Sequence, residues 1–406
     1  MARRWDRLSW RQALLIGGFF IVVVPSFILA ILLLNNIPAV ARISRYFEIQ
    51  FAAVVDANAP ENPLVVFLSY LSALFMLVTI HELGHVAAGF AVGFRFERIR
   101  IGPIIFTKTP DRLKFTFQKA YGFDGVAAMK VLRLRKLRRR LGIYVAAGPL
   151  ANLLSAVCVW AFLARQVLGA WQHPVGQFLL IFAALSVCMG IFNLIPFRRS
   201  NGMFTDGARL LSLVTSRVNT RRWLCIVALK MELDSGVRPR DWKRTWIAHS
   251  CSVRDQSLDA MRAFWMAYVA SLDRGDTEQA ARHLENCLEL FRIASPEFKK
   301  SLLMEAAIFQ AWSRNDQQKA KLWALRSDVS SAIPPLSQLR FTTCMHWAAR
   351  DYDKVALAWE EGCRQIETLP PSSQKDLLRD SWLEWKQEID TKRRALETLP
   401  ESMHNI

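Results

Sequence analysis

Predominantly apolar runs fill the first half of the chain, and a more polar, helically patterned region fills the second. Four runs, at about 13–34, 63–90, 141–164 and 176–197, each approach or exceed the roughly 20 residues that a transmembrane helix needs. Past about residue 221, apolar residues recur among charged ones with the spacing of amphipathic helices. The pattern predicts a polytopic α-helical membrane protein of about four spans, followed by a soluble α-helical domain.

The first run follows the basic segment MARRWDRLSWRQ. A secretory signal peptide is an alternative to a retained anchor, because Ala39-Val40-Ala41 resembles a cleavage site. The run is longer than the roughly 7–15 residues of a signal h-region, which favours the retained anchor.

Between the second and third runs, a period of two replaces the helical pattern. The segments FERIRI (96–101) and LKFTFQ (113–118) alternate apolar and polar residues, and turn-forming residues at 109–112 lie between them. Alternation on both sides of a turn predicts a β-hairpin. The edge of such a hairpin could pair with an extended peptide segment.

A short turn recurs three times in the second half of the chain. The segments GDTEQA (275–280), NDQQKA (315–320) and RDYDKV (350–355) each place an aliphatic residue four positions after an Asp. Their separations of about 40 and 35 residues lie near the period of tetratricopeptide helix pairs, but the fuller signature is absent, so an unrelated helical bundle stays open. We predict a membrane domain (1–215), a linker (216–249) and a tetratricopeptide-like helical domain (250–406).

Composition and charge agree with a membrane protein. The mean hydropathy is +0.14 with 52% hydrophobic residues, which is high for a soluble chain of 406 residues. The formal charge of +18 includes a dense basic block from Lys130 to Arg140 that adjoins the third run. At the end of a span, such a block sets topology and attracts anionic lipid headgroups, so the charge favours a lipid bilayer over nucleic acid as the partner.

The distribution of Lys and Arg also predicts an orientation. The loop after the second span and both termini are rich in basic residues, whereas 35–62 and 165–175 are poor in them. The positive-inside rule therefore predicts a multi-pass protein of the cell membrane with both termini cytoplasmic. Spans two and four then end at the same cytoplasmic face.

The second run ends in His81-Glu82-Leu83-Gly84-His85. Residues four apart lie on one face of a helix, so both imidazoles can reach one metal ion while Glu82 is left to act on water. The alternative is a chance occurrence of HExxH, but ionisable groups deep in a bilayer cost about 2.5–3.5 kcal/mol each and need a partner or a function. The motif predicts a zinc site.

Two further motifs lie on the third and fourth runs. The third run contains GPLAN (148–152), whose small residues permit close helix approach. Its Asn152 needs a polar partner in the membrane, and an interhelical hydrogen bond and a role in the catalytic site are both open. The fourth run ends in NLIP (193–196), and Asp206-Gly207 follows after a polar insertion.

Taken together, and in this order, HELGH, GPLAN, and NLIP followed by Asp206-Gly207 resemble the site-2 protease family of intramembrane zinc metalloproteases over about 63–211. The resemblance implies that His81, His85 and Asp206 bind one Zn²⁺, that Glu82 is the general base, and that Asn193 helps to hold substrate. It implies hydrolysis of peptide bonds in a transmembrane protein or peptide. The topology would put that cut near the cytoplasmic face, and the helical tail would bind a cytosolic protein partner.

The chain departs from the family pattern in one place. Nine residues, FRRSNGMFT, separate Pro196 from Asp206, which leaves Asp124 as an alternative third ligand. We favour Asp206 because it has the shorter path to the end of the second span. A non-proteolytic membrane scaffold with a structural metal site is the alternative function, but a structural site does not require the base that Glu82 offers.

Overall fold

The computed structural model of the chain describes residues 63–109, 112–118, 125–163, 174–327, 334–369 and 372–397. Within these ranges lie thirteen α-helices and one four-stranded antiparallel sheet. The chain divides into two compact units: one contains the described residues up to Arg198 together with Phe204–Thr215, and the other contains Arg199–Met203 and the residues from Ser216 onward. The first predicted span, 13–34, lies outside the described residues.

Three long helices form the framework of the first unit. They are α1 (Pro63–Ala91), α2 (Leu137–Leu163) and α3 (Pro174–Leu194). Helices α1 and α2 are long and apolar enough to cross a membrane, whereas the apolar stretch of α3, Phe178–Leu194, is shorter. The second and third predicted spans therefore have helices of the required length; the total of four spans is not confirmed and stays a prediction.

These three helices expose large apolar side chains to their surroundings. Phe67 on α1, Leu154 on α2 and Phe192 on α3 are 62%, 63% and 51% exposed. Extended apolar exposure of this kind marks a surface that contacts lipid or another protein. The helices nevertheless pack closely on each other: a Cβ added at Gly84 would lie 2.6 Å from the backbone oxygen of Ala147, as small residues at membrane helix contacts permit.

The sheet differs from the predicted hairpin in its pairing. Its strands are β1 (Arg95–Ile101), β2 (Ile104–Lys108), β3 (Leu113–Phe117) and β4 (Gly125–Lys130), in the spatial order β3-β2-β1-β4. The predicted partners FERIRI and LKFTF are not paired with each other, because the chain turns first at Gly102, which has φ +54°, and β2 lies between them. Strand β4, at one end of this order, packs against α1.

The polar insertion after the fourth predicted span leads directly into a helix, α4 (Asp206–Thr215). Arg198 and Phe204 form an isolated antiparallel bridge at the base of the insertion. Thr205 is buried, donates its hydroxyl hydrogen to the oxygen of Ile195 at 2.7 Å, and accepts from the backbone N–H of Ala208 at 3.2 Å. Thr205 thus caps α4, and Asp206 begins the helix despite the insertion.

Two arginines of the basic block bind carbonyl groups of the chain. Arg140 donates to the oxygens of Val92 at 2.7 Å and Gly93 at 3.2 Å, just after the end of α1. Arg138 donates to the oxygen of Leu213 near the end of α4. A cation at a helix C-terminus satisfies carbonyls that have no partner within the helix. These two side chains stabilise helix ends, while a lipid role for the block stays a prediction.

The second unit is helical throughout its named elements. Its helices are α5 (Arg217–Asp234), α6 (Arg244–Ser250), α7 (Leu258–Asp273), α8 (Thr277–Glu289), α9 (Pro296–Ile308), α10 (Gln317–Ser327), α11 (Pro335–Ala348), α12 (Tyr352–Thr368) and α13 (Ser373–Glu397). Helices α5 and α6 fall in the range predicted as a linker, where Leu229 and Ile247 pack with Ala267 of α7.

Three helix pairs, α7/α8, α9/α10 and α11/α12, contain the recurring turn. In each pair the residue before the Asp has a positive φ, the Asp caps the second helix, and the aliphatic residue four later is buried. The positive-φ residues are Gly275, Asn315 and Arg350, the caps are Asp276, Asp316 and Asp351, and the buried residues are Ala280, Ala320 and Val355. The turn is therefore a structural repeat; the tetratricopeptide assignment is not confirmed and stays a prediction.

A buried hydrogen-bond network connects the first helices of these three pairs. Tyr268 of α7 donates its hydroxyl hydrogen to the buried carboxylate of Glu305 on α9 at 2.7 Å. Arg340 of α11 donates to both oxygens of the same carboxylate at 2.8 and 2.9 Å. A bidentate arginine–carboxylate pair adds geometric specificity as well as energy. This network therefore helps to set the spacing between the helix pairs.

Candidate metal centre

Three side chains from distant parts of the sequence present donor atoms to one point. His81 and His85 lie one turn apart near the end of α1, and Asp206 is the first residue of α4. The two Nε2 atoms are 3.2 Å apart, and the Oδ2 atom of Asp206 lies 3.1 Å from that of His81 and 3.7 Å from that of His85. The group could hold a metal ion.

The donor set fits zinc. Zinc–ligand bonds of about 2.0–2.1 Å in tetrahedral geometry put neighbouring donor atoms about 3.3–3.4 Å apart, and the observed separations of 3.1–3.7 Å bracket that value. Two imidazoles and one carboxylate leave one position of the tetrahedron open, which is the composition of a catalytic rather than a structural zinc site.

The remaining ring nitrogen of each histidine faces a polar group of α2. Nδ1 of His85 lies 2.8 Å from the carbonyl oxygen of Tyr144, which can only accept, so Nδ1 carries the proton and Nε2 is free to bind a metal. Nδ1 of His81 lies 3.4 Å from the amide nitrogen of Asn152. Both imidazoles are thus oriented by a second layer of contacts.

Asn152 is fully buried, and its Oδ1 has no hydrogen-bond partner among the residues that the structure describes. The two orientations of a carboxamide have almost the same shape, so a half-turn places the oxygen where the nitrogen now lies. In that orientation Asn152 accepts from Nδ1–H of His81, which leaves Nε2 of His81 facing the metal position. The orphaned oxygen therefore fits a metal-binding His81.

The charge of Asp206 suits a ligand. Burial raises the pKa of its carboxyl, but with no metal bound, hydrogen bonds from the protonated Nε2 atoms of His81 and His85 outweigh burial and bring the pKa to about 2. A cation bound by those nitrogens would favour the ionised carboxylate in their place. The carboxylate is therefore ionised across the neutral range, and it balances part of the positive charge that a divalent ion would bring.

Glu82 is buried beside these donors, at 5% exposure, and lies against the first residue of β4. A Cβ added at Gly125 would fall 2.2 Å from Oε1 of Glu82, so the strand approaches the carboxylate as closely as a glycine allows. The backbone amide of Ala127, two residues along β4, also faces this carboxylate. The carboxylate of Glu82 therefore lies where α1 contacts β4.

Gly125 and Gly148 are site residues that the sequence analysis did not identify as such. A Cβ at Gly148 would lie 2.3 Å from Nε2 of His85, so this glycine makes room for the imidazole. The GPLAN motif pointed to Gly148 only as a helix-packing residue, and next to Gly125 only Asp124 was considered, as an alternative ligand.

Two other candidates are less constrained by the structure. Asp124, the alternative third ligand, lies outside the described residues. Asn193 is buried next to the last residue of α3, and its proposed contact with substrate stays a prediction.

The comparisons with known proteins bear on the same segment. Residues 69–169 match the family model described as peptidase family M50, which is 101 of the 406 residues. The matched range includes HELGH, the sheet and GPLAN, and it ends before Asn193 and Asp206. Searches of curated proteins and of solved structures find no match.

Proposed function

We propose that this protein is an intramembrane zinc metalloprotease that hydrolyses a peptide bond of a transmembrane segment near the cytoplasmic face. The observation that carries the proposal is the convergence of His81, His85 and Asp206 beside the buried carboxylate of Glu82. The match of residues 69–169 to peptidase family M50 supports the same reaction class.

Each residue has a distinct role in the proposed reaction. His81, His85 and Asp206 hold one Zn²⁺, which when bound lowers the pKa of water and polarises the substrate carbonyl. Glu82 accepts the proton of the water that attacks the carbonyl carbon, and delivers a proton to the nitrogen that leaves when the C–N bond breaks. Asn152 orients His81, and Asn193 helps to hold substrate.

A transmembrane substrate must present an unwound segment to this site, because a helix keeps its peptide groups in internal hydrogen bonds. Strand β4 is one of the two outer strands of the described sheet and lies against Glu82. An extended segment that adds to the edge of β4 would have its backbone fixed next to the general base. The sheet thus supplies the substrate platform in this proposal.

The rest of the chain supports location and regulation. We assign the protein to the cell membrane, with several spans and both termini cytoplasmic, and we assign contacts with anionic headgroups to the exposed part of the basic block. To the repeated helix pairs of the second unit we assign the binding of a cytosolic protein partner, as stacked helix pairs do in solenoid proteins. Substrate choice or timing would be set there.

The test uses purified full-length protein in lipid vesicles with a reporter that contains one transmembrane helix. We expect cleavage within that helix, located by mass spectrometry, with loss of cleavage after zinc chelation and recovery after zinc is restored. To find the physiological substrate, membrane proteomes of cells that produce wild type or Glu82→Gln are compared. Zinc-loaded protein that cleaves no reporter, with proteomes that do not differ, would support the scaffold alternative.

A further inference from the structure

Tyr144 on α2 contacts the candidate site with three of its groups. Its carbonyl oxygen accepts from Nδ1 of His85 at 2.8 Å, and its ring lies 5.3 Å from the His85 ring, centroid to centroid. Its hydroxyl donates to the backbone oxygen of Ala127 on β4 at 2.6 Å. The backbone contact holds a proposed ligand, and the hydroxyl contact holds the strand that lies against Glu82.

The hydroxyl contact takes up part of the edge of β4 that has no neighbouring strand among the described residues. Ala127 is opposite Ile99 of β1, the strand that borders β4 on its other side. In an antiparallel pair, residues whose backbone groups do not bond to the partner strand direct them to the opposite side. The amide of Ala127 faces Glu82 and its oxygen accepts from Tyr144, so both groups point away from β1, to the side where an added strand would pair.

Removal of this hydroxyl would loosen the strand at the point where it meets the base. Gly125 begins β4 in contact with Glu82, and Ala127 follows two residues later with its amide toward the same carboxylate. Helix α2, which presents Tyr144, also orients both histidines through Tyr144 and Asn152. One hydroxyl thus connects the helix that orients both histidines to the strand that lies against Glu82.

We propose that the Tyr144 hydroxyl is a positioning group of this protease, which holds β4 in register with Glu82 and the zinc ligands through its bond to Ala127. The inference deepens the proposed function and rests on it. Because the hydroxyl occupies the Ala127 oxygen, a bound segment pairs with the other backbone groups of the edge, and this selects which of its peptide bonds reaches Glu82.

The experiment compares Tyr144→Phe with wild type and with Tyr70→Phe, a matched control on α1 whose residue is 47% exposed. We expect Tyr144→Phe to keep its zinc, since the backbone carbonyl that orients His85 is unchanged. We expect kcat to fall about 10- to 100-fold, as misplacement of reacting groups by about 1 Å can cost 100-fold, with KM changed less and with cleavage spread to neighbouring bonds. Tyr70→Phe should behave as wild type.

Two tyrosine analogues at position 144 separate hydrogen bonding from packing. p-Aminophenylalanine keeps a donor and should restore kcat and the single cleavage site, whereas p-methylphenylalanine fills the volume without a donor and should not. The p-methyl variant also provides the test if Tyr144→Phe does not fold. Equal rates and cleavage sites for the two analogues, wild-type kinetics of Tyr144→Phe, or loss of zinc from Tyr144→Phe would each overturn the proposal.

Hydrogen exchange separates this inference from the proposed function. The segment 125–130 should exchange faster in Tyr144→Phe than in Tyr70→Phe, with or without proteolysis. If wild-type protein cleaves nothing, the proposed function fails while the positioning of β4 is still measured. Unchanged exchange in an active enzyme would contradict the positioning role alone.

Discussion

Replacement of Gly148 by alanine should empty the metal centre while leaving the helix intact. The added Cβ would lie 2.3 Å from Nε2 and 2.6 Å from Cε1 of His85. The same change at Gly142, six residues earlier on α2, places a Cβ 3.7 Å from its nearest neighbour, Cδ1 of Leu213. Gly142→Ala is therefore a matched control with the same chemical change in the same helix.

The magnitude follows from the contact distances. Carbon atoms and their neighbours lie about 3.5 Å apart at optimal contact, so the imidazole of His85 must move by about 1 Å. Metal–ligand distances tolerate only about 0.2 Å. His85 is buried and its Nδ1 is bonded to Tyr144, so the ring cannot swing aside and still bind. We expect zinc affinity to fall at least about 100-fold, or about 2.7 kcal/mol.

The assay is zinc occupancy of purified protein equilibrated with a series of buffered free-zinc concentrations. Both alanine variants gain helix propensity, by about 1 kcal/mol at most, so thermal unfolding of the zinc-free proteins should show no loss of stability for Gly142→Ala. If Gly148→Ala bound zinc as tightly as Gly142→Ala and wild type, His85 would not be a ligand held in the position described, and the reasoning would be refuted.

Three further predictions test other parts of the account. Gly125→Ala should abolish cleavage of a transmembrane reporter while zinc stays bound, because its Cβ would displace the carboxylate of Glu82; full activity would show that β4 does not border the base. Thr205→Ala removes the cap of α4 and should lower the free energy of unfolding by about 1 kcal/mol and weaken zinc binding in equilibrium dialysis, whereas Thr205→Ser should retain both. Equal zinc affinities of wild type and Thr205→Ala would show that the cap does not position Asp206. Single cysteines introduced at Asn58 and Gln172 should react with an impermeant thiol reagent added outside intact cells. Protection of both would show that the orientation is the inverse of the predicted one.

That the candidate metal ligands lie close together could be predicted from the sequence. The four-residue spacing of His81 and His85 places them on one helix face whatever surrounds them, and the alternation of basic loops places the end of the fourth predicted span on the same side. The structure then brings Asp206 to 3.1 Å from His81. Local periodicity was sufficient for the two histidines, because the spacing of a helix is set by short-range sequence. Asp206 was expected from the resemblance of the ordered motifs to the site-2 protease family, with Asp124 as the alternative.

The contacts that complete the site could not be predicted in the same way. Strand β4, GVAAMK, has little alternation, and β2, IIFTK, starts with two apolar residues, so neither stood out as a strand beside FERIRI and LKFTF. Gly125 acquires its role only from its distance to Glu82, and Tyr144 only from its distance to Ala127. Such roles depend on tertiary packing, which propensity and period do not encode.

The second unit contains one feature that the sequence predicts and one that it does not. The three recurring turns were visible because a positive-φ residue followed by a capping Asp has a local sequence signature. The hydrogen-bond network of Tyr268, Glu305 and Arg340 was not visible in the sequence, because its members are separated by more than thirty residues at each step and no local rule pairs them.

The central claim is that Glu82 acts on water at a zinc ion held by its neighbours, and the most direct test measures zinc content and proteolysis on the same preparation of Glu82→Gln. Glutamine keeps the size of the side chain but cannot accept the proton, and loss of general acid–base catalysis costs about 100- to 10,000-fold. We predict one zinc per chain in both wild type and Glu82→Gln, with cleavage of the transmembrane reporter by wild type alone. Cleavage by zinc-loaded Glu82→Gln at the wild-type rate would contradict the account.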